Sequence, residues 1–166
     1  MPASPGGSRR PESDAAGFTA SPQLAEALQQ ILVDLVELHL QGKQAHWNVT
    51  GHNFRDLHLQ LDEIVDEARE AADTIAERMR ALAAWPDGRT DTVSATTTLP
   101  GFPEGEVSVA QVVDLVTGRL RATADTVRTH HDRVDSEDPS TADLLHAVID
   151  SLEKYAWMVS SENRTS

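Results

Sequence analysis

Between residues 85 and 107 the chain reads WPDGRTDTVSATTTLPGFPEGEV, with three prolines and three glycines. Both residue types punctuate regular structure. On either side the apolar residues keep a helical period for many turns. Helices that follow one another antiparallel need a connection of only about 2–8 residues. This stretch is long enough to run the length of a helical bundle. It is therefore expected to join two parallel neighbours, and few helical topologies accept such a link.

The helices can be placed from their stripes and caps. Ser21 is a candidate N-cap with Pro22 at the first helical position. Leu24, Leu28, Ile31, Leu32, Leu35, Leu38 and Ala45 follow at helical spacing, which predicts a helix over 22–48. NVTGHN breaks the pattern at Gly51 and Asn53. A second helix is expected over 54–83, about 45 Å long at 1.5 Å per residue. Its stripe is Phe54, Leu57, Leu61, Ile64, Val65, Ala68, Ala72, Ile75, Met79 and Leu82. Ser108 caps a third helix over 109–134, DSEDPST ends it, and a fourth runs over 140–162. No internal repeat and no strand is expected. The prediction is an all-α, up-down-down-up four-helix bundle of the ferritin-like kind with a long crossover. The bundle domain spans 21–163, between a flexible N-terminal tail over 1–20, rich in Pro, Gly, Ser and Ala, and a short C-terminal tail over 164–166.

Charge narrows the partners. In the first 22 residues Arg9 and Arg10 cancel Glu12 and Asp14, so the remaining 144 carry the whole net charge of −13. An acidic body repels phosphate backbones and attracts cations, although solubility alone is the commonest meaning of net charge. The absence of cysteine excludes disulfides, thiolate metal sites and a cysteine nucleophile. It fits the cytoplasm. The N-terminus has no apolar core of a secretory leader, and no apolar run approaches the ~18 residues of a membrane span.

The second helix carries another stripe. His58 and Asp62 are spaced i, i+4, as are Asp73 and Glu77. At about 100° per residue, Asp62, Asp73 and Glu77 lie roughly 40°, 60° and 100° round from His58. All four fall in one band flanking the apolar face. Asp62 and Asp73 are about 16 Å apart along the axis, whereas metal–ligand bonds are roughly 2.0–2.3 Å. One ion cannot bridge both pairs on one helix. Either the pairs are two half-sites, or two chains pair antiparallel and complete each other's site, as an isologous interface allows. His46, near the end of the first helix, is expected to converge on His58 across the turn. Mixed imidazole and carboxylate donors suit Fe(II), Mn(II) or Zn(II). The competing reading is a solvated face, the commoner meaning of an i, i+4 acid pair. Glu-x-x-His and His-Glu-x-x-His are absent, so a di-iron centre inside one bundle is not encoded.

KQAHWNVTGHNFRDLHLQLDE, followed by AADTIAER, resembles the signature of the Dps family, the DNA-binding proteins from starved cells, or mini-ferritins. The matching elements are His-Trp-Asn, Gly-x-x-Phe, Leu-His-x-x-Leu-Asp and Asp-x-x-x-Glu. KYAWMVSSE is similar to the family's last helix, and the resemblance spans about residues 22–162. It implies a hollow shell of twelve four-helix subunits with ferroxidase sites at two-fold interfaces. By motif position, His46, His58 and Asp62 come from one subunit and Asp73 and Glu77 from its neighbour. Trp47 lies beside the site, as a packing residue or a sink for oxidising equivalents; an ordinary interface aromatic is the alternative. The implied reaction is oxidation of Fe(II), preferentially by hydrogen peroxide with dioxygen as alternative oxidant, and storage of ferric oxide. Other divalent metals are compatible with the same ligands. The family's acidic three-fold pores suggest Asp132, Asp135, Glu137, Asp138 and Asp143, against capping and solvation as the simpler roles.

The other histidines are assigned outside the metal set: His39 near the interface, His52 in the turn, and His130, His131 and His146 as solvated or pore-side residues. DNA binding is expected to be weak or absent, because the tail has no lysine and no net charge. A nucleoid-associated DNA binder with secondary iron chemistry is the alternative function, and a purely structural bundle the third.

Overall fold

Ser21 and Pro22 open the first helix as the sequence requires: the Ser21 hydroxyl accepts a hydrogen bond from the Leu24 amide at 3.1 Å. The computed structural model describes residues 17–164. The expected N-terminal tail lies outside the described residues as far as residue 16, as do residues 165–166 of the C-terminal tail. The elements are α1 (Pro22–Asn48), β1 (Val49–Thr50), α2 (Phe54–Ala81), α3 (Thr90–Thr96), β2 (Val107–Ser108), α4 (Val109–Glu137) and α5 (Pro139–Ser160), with a closing 3-10 turn at Ser161–Asn163. Ser108 and Gln111 form a reciprocal capping box at the start of α4.

Helix α1 packs against α2 and α4, and α5 packs against α4 and, more lightly, α2. Contacts at the two ends fix the directions. Val49 pairs with Val107 at one end. At the other, the Ala20 amide donates to the Leu82 carbonyl, and Ser21 donates to the Glu137 carboxylate. The order is therefore up-down-down-up, and the four-helix bundle is the expected one. Between the helices lie Leu24, Leu28, Ile31, Leu35 and Leu38 of α1, Leu61, Ile64, Ile75 and Met79 of α2, Leu120 of α4, and Leu145 and Leu152 of α5, all fully buried. Removal of this apolar surface from water is the main stabilising term. No helix of the described residues is long and apolar enough to cross a membrane.

Several expectations need correction. The crossover joins helices that run parallel, but they sit diagonally across the bundle rather than side by side. The crossover is not irregular throughout: Thr90–Thr96 form α3, anchored by the buried Val93. Two short strands exist where none was expected. The end of α1 and the start of α4 meet at one end of the bundle, and the extended residues there pair in parallel over two positions. Neither element is long enough to set up a readable period. Helix α2 ends at Ala81, two residues early, with Ala83 at φ 60°. Helix α4 continues to Glu137.

The crossover is held along α1 by buried polar groups. The fully buried Asp34 carboxylate accepts from the Thr97 hydroxyl (2.9 Å), the Thr98 amide (2.8 Å), the Thr98 hydroxyl and the Thr126 hydroxyl (2.8 Å). One α1 turn earlier, Gln29 exchanges hydrogen bonds with the backbone of Asp87. Two turns later, Gln41 donates to the Pro100 carbonyl and accepts from Arg119, which also reaches the Gly101 carbonyl.

Candidate metal centre

The α1–α2 turn brings His46 and His58 together. Gly51 (φ 121°) and Asn53 (φ 63°) take the positive φ values that reverse the chain within a few residues. The two imidazoles stack with centroids 3.6 Å apart, and Phe54 also stacks on His58, at 5.0 Å. Each ring holds the other helix: His46 Nδ1 donates to the His58 carbonyl at 2.8 Å, and His58 Nδ1 donates to the His46 carbonyl at 2.8 Å. A carbonyl oxygen can only accept, so both Nδ1 atoms carry hydrogen. In the neutral rings the Nε2 lone pairs are then left free to bind a metal.

Asp62, one turn beyond His58, reaches His46 Nδ1 at 3.3 Å. Its carboxylate also pairs with the Lys43 ammonium. The hydrogen bond from Lys43 outweighs partial burial and holds this carboxyl below the usual range, with further help from both histidines. Asp62 is therefore ionised at neutral pH. Lys43 was not singled out in the sequence, although its position one turn before His46 could have suggested it. Gly42 was also missed. A Cβ there would stand 3.0 Å from Val65 Cγ2, so glycine permits the close approach of α1 and α2 beneath the site. Glycine costs about 1 kcal/mol relative to alanine inside a helix, which makes its presence in an apolar-periodic stretch a readable signal.

Asp73 and Glu77 lie three and four turns further along α2 and are both exposed. Within one chain they do not join His46, His58 and Asp62. Among the described residues, no group of three or more His, Cys, Asp or Glu of one chain converges to hold a metal ion. Trp47, next to His46, is 67% exposed, and Leu40 and Phe54 are also exposed large apolar residues. His39 is half-buried, and burial together with Arg69 pushes its pKa down.

The acids near the α4–α5 junction divide. Asp138 is buried and accepts from Arg78 at 2.7 Å and from Thr141. Glu137 caps Ser21. These two are engaged inside the chain, while Asp132, Asp135 and Asp143 are exposed. His131 and His146 are not simply solvated: they contact each other.

Residues 25–165 match the family described as Ferritin, the ferritin-like domain. The chain is 37% identical over 145 residues to DNA protection during starvation protein 2 of Deinococcus radiodurans, covering 87% of this chain and 60% of that one. It therefore spans less than two thirds of that relative. It is 33% identical over 133 residues to the DNA protection during starvation protein of Agrobacterium fabrum, covering 80% and 82%. The solved structure of Dps92 from Deinococcus radiodurans superposes with a TM-score of 0.83 at 35% identity, covering 87% of each chain.

Proposed function

Because the chain belongs to the Dps family of ferritin-like proteins, we propose that it oxidises Fe(II) and stores the ferric product inside a hollow shell of twelve copies, protecting the cell and its DNA from oxidative damage. The observation that carries this reading is the reciprocal Nδ1–carbonyl lock of His46 and His58. It fixes two imidazoles as Nε2 donors beside an ionised carboxylate, which is the donor mixture an Fe(II) substrate needs.

The site is shared between two chains. His46, His58 and Asp62 of one subunit face Asp73 and Glu77 of its neighbour across a two-fold axis. The rigid spacing along α2 supports this, as does the exposure of both distal acids. The exposed Leu40, Trp47 and Phe54 supply apolar surface beside the half-site. Trp47 packs at this interface and is placed to absorb stray oxidising equivalents.

Neutral imidazole holds Fe(II), and carboxylates stabilise the ferric product. Two Fe(II) ions each give one electron. Hydrogen peroxide accepts both with two protons, its O–O bond breaks, and two waters form without hydroxyl radical. Dioxygen is the alternative oxidant, and other divalent metals can occupy the same donors. The proposed location is the cytoplasm.

The test is anaerobic Fe(II) loading followed by peroxide addition, recording ferric absorbance and particle mass together. Rapid oxidation with iron retained in a particle about twelve times the 18.1 kDa chain mass is expected. The double variant His58→Ala/Asp62→Ala should assemble but oxidise no faster than protein-free buffer. Wild-type protein at the buffer rate would overturn the reading.

A further inference from the structure

A second pair of histidines stands at the opposite end of the bundle. His131 lies near the end of α4 and His146 in the first half of α5. Their Nε2 atoms face each other at 2.7 Å, with the ring centroids 4.7 Å apart and the ring planes 27° from parallel. The α1–α2 turn is joined to the start of α4 through β1 and β2. His131 is therefore roughly 30 Å away along the bundle axis at 1.5 Å per residue, and this pair owes nothing to the first site.

Two bare nitrogen lone pairs repel at 2.7 Å. The contact exists because a proton lies between them, one Nε2–H donating to the other ring. Each outer nitrogen faces a carboxylate: His131 Nδ1 lies 3.3 Å from Asp132, and His146 Nδ1 lies 3.6 Å from Asp143. When an ion holds both Nε2 atoms, each Nδ1 carries hydrogen and a carboxylate stands nearby to face it, the arrangement that supports histidine ligands in metal sites. The pair opens onto a shallow cavity of about 200 Å³ that Arg128 and Ile149 also line. Arg128, which lines the same cavity, is neutralised: it donates to Glu153 at 2.7 Å.

We propose that His131 and His146 form a second metal site, in which a late first-row divalent ion replaces the shared proton. With Zn–N bonds of about 2.0–2.1 Å, a tetrahedral ion needs the two nitrogens about 3.3 Å apart. The rings must therefore open by roughly 0.6 Å, and the His146 side chain, 59% exposed, has room to do so. Water completes the coordination. Two imidazoles without a thiolate favour Cu2+ and Zn2+ over Fe2+. The pair therefore takes a different class of ion from the proposed iron substrate.

The experiment is calorimetric titration of the intact protein with Zn2+, together with the Cu2+ electron paramagnetic resonance spectrum. His131→Ala and His146→Ala should each lose the same one equivalent of Zn2+ per chain that His58→Ala retains. Asp143→Asn should weaken that equivalent by about tenfold, the lower end of what carboxylate support contributes. The wild-type Cu2+ spectrum should show a two-nitrogen component that disappears in both histidine variants. Unchanged Zn2+ stoichiometry and affinity in His146→Ala, with unchanged helical circular dichroism, would leave only a hydrogen-bonded pair and overturn the proposal. Because His146 is exposed, that variant decides the matter even if His131→Ala fails to fold. Zn2+ stoichiometry and Fe(II) oxidation are independent readouts, so failure here and failure of the ferroxidase reading are separate results.

Discussion

Lys43 competes with any incoming cation for the Asp62 carboxylate. The pair is partly exposed, so its worth is screened, and Lys43→Gln should tighten binding at the α1–α2 half-site by no more than about fivefold. Titration with Co2+ as an Fe(II) surrogate would measure it. The sign in pH follows from the same contact. Lys43 lowers the Asp62 pKa, so removing it lets the carboxyl protonate at higher pH. The acid limb of the binding profile should move upward in the variant; a downward move would mean that Lys43 does not set the charge of Asp62. Asp138 answers to a different balance. Burial pushes its pKa up, but hydrogen bonds from Thr141 and Arg78 prevail and the net shift is downward. A depressed folded-state pKa contributes stability above the ordinary Asp value of about 4, lost as pH falls through the folded value. Asp138→Asn should cost about 1–3 kcal/mol at neutral pH. Thermal unfolding across pH should show its gap from wild type close in acid.

Among the elements, the crossover depends most on a few atoms. It has little apolar anchorage beyond Val93, Leu99 and Val107, and it is tied to α1 chiefly through Asp34. Asp34→Ala would leave the Thr98 amide and three hydroxyls without their acceptor. The expected cost is about 2–4 kcal/mol, since a bond to a charged acceptor contributes about 1.5–3 kcal/mol and orphaned donors add desolvation. Limited proteolysis should cut within residues 86–106 of the variant well before wild type, and equal cutting would show that the crossover holds without Asp34. None of this was legible in the sequence. A buried aspartate in an apolar stripe looks like a solvated residue until the threonines that reach it, more than 60 positions away, are folded against it. Helices α1, α2, α4 and α5 were legible because each repeats one apolar period over many turns and begins at a recognisable capping or turn residue. Helix α3 and the two-residue strands were not, because they are shorter than one readable period. At the candidate site, the convergence of His46 on His58 followed from Gly51 and Asn53. The reciprocal carbonyl bonds and Lys43 depend on rotamers that spacing does not specify.

For the whole molecule, the question is what one chain must borrow from another. The −13 charge is multiplied twelvefold in a shell. A gel shift at about 150 mM salt should therefore show no tight DNA complex; retention of DNA without added divalent ions would favour the nucleoid reading. A shared ferroxidase site makes a stricter prediction about assembly. His58→Ala breaks the half-site that contributes imidazole, and Asp73→Ala breaks the half contributed by the neighbour. Each variant assembled alone has two damaged sites at every two-fold interface. When the two are co-assembled in equal amounts, half of the two-fold pairs contain one of each. In a mixed pair, one site combines both defects. The other combines the intact histidine half of the Asp73→Ala chain with the intact carboxylate half of the His58→Ala chain. Isologous symmetry thus restores about a quarter of the wild-type sites. The initial rate of peroxide-driven ferric absorbance should recover to that fraction in co-expressed shells, but not when the two separately assembled shells are mixed. If the five ligands acted within one chain, co-expression would restore nothing.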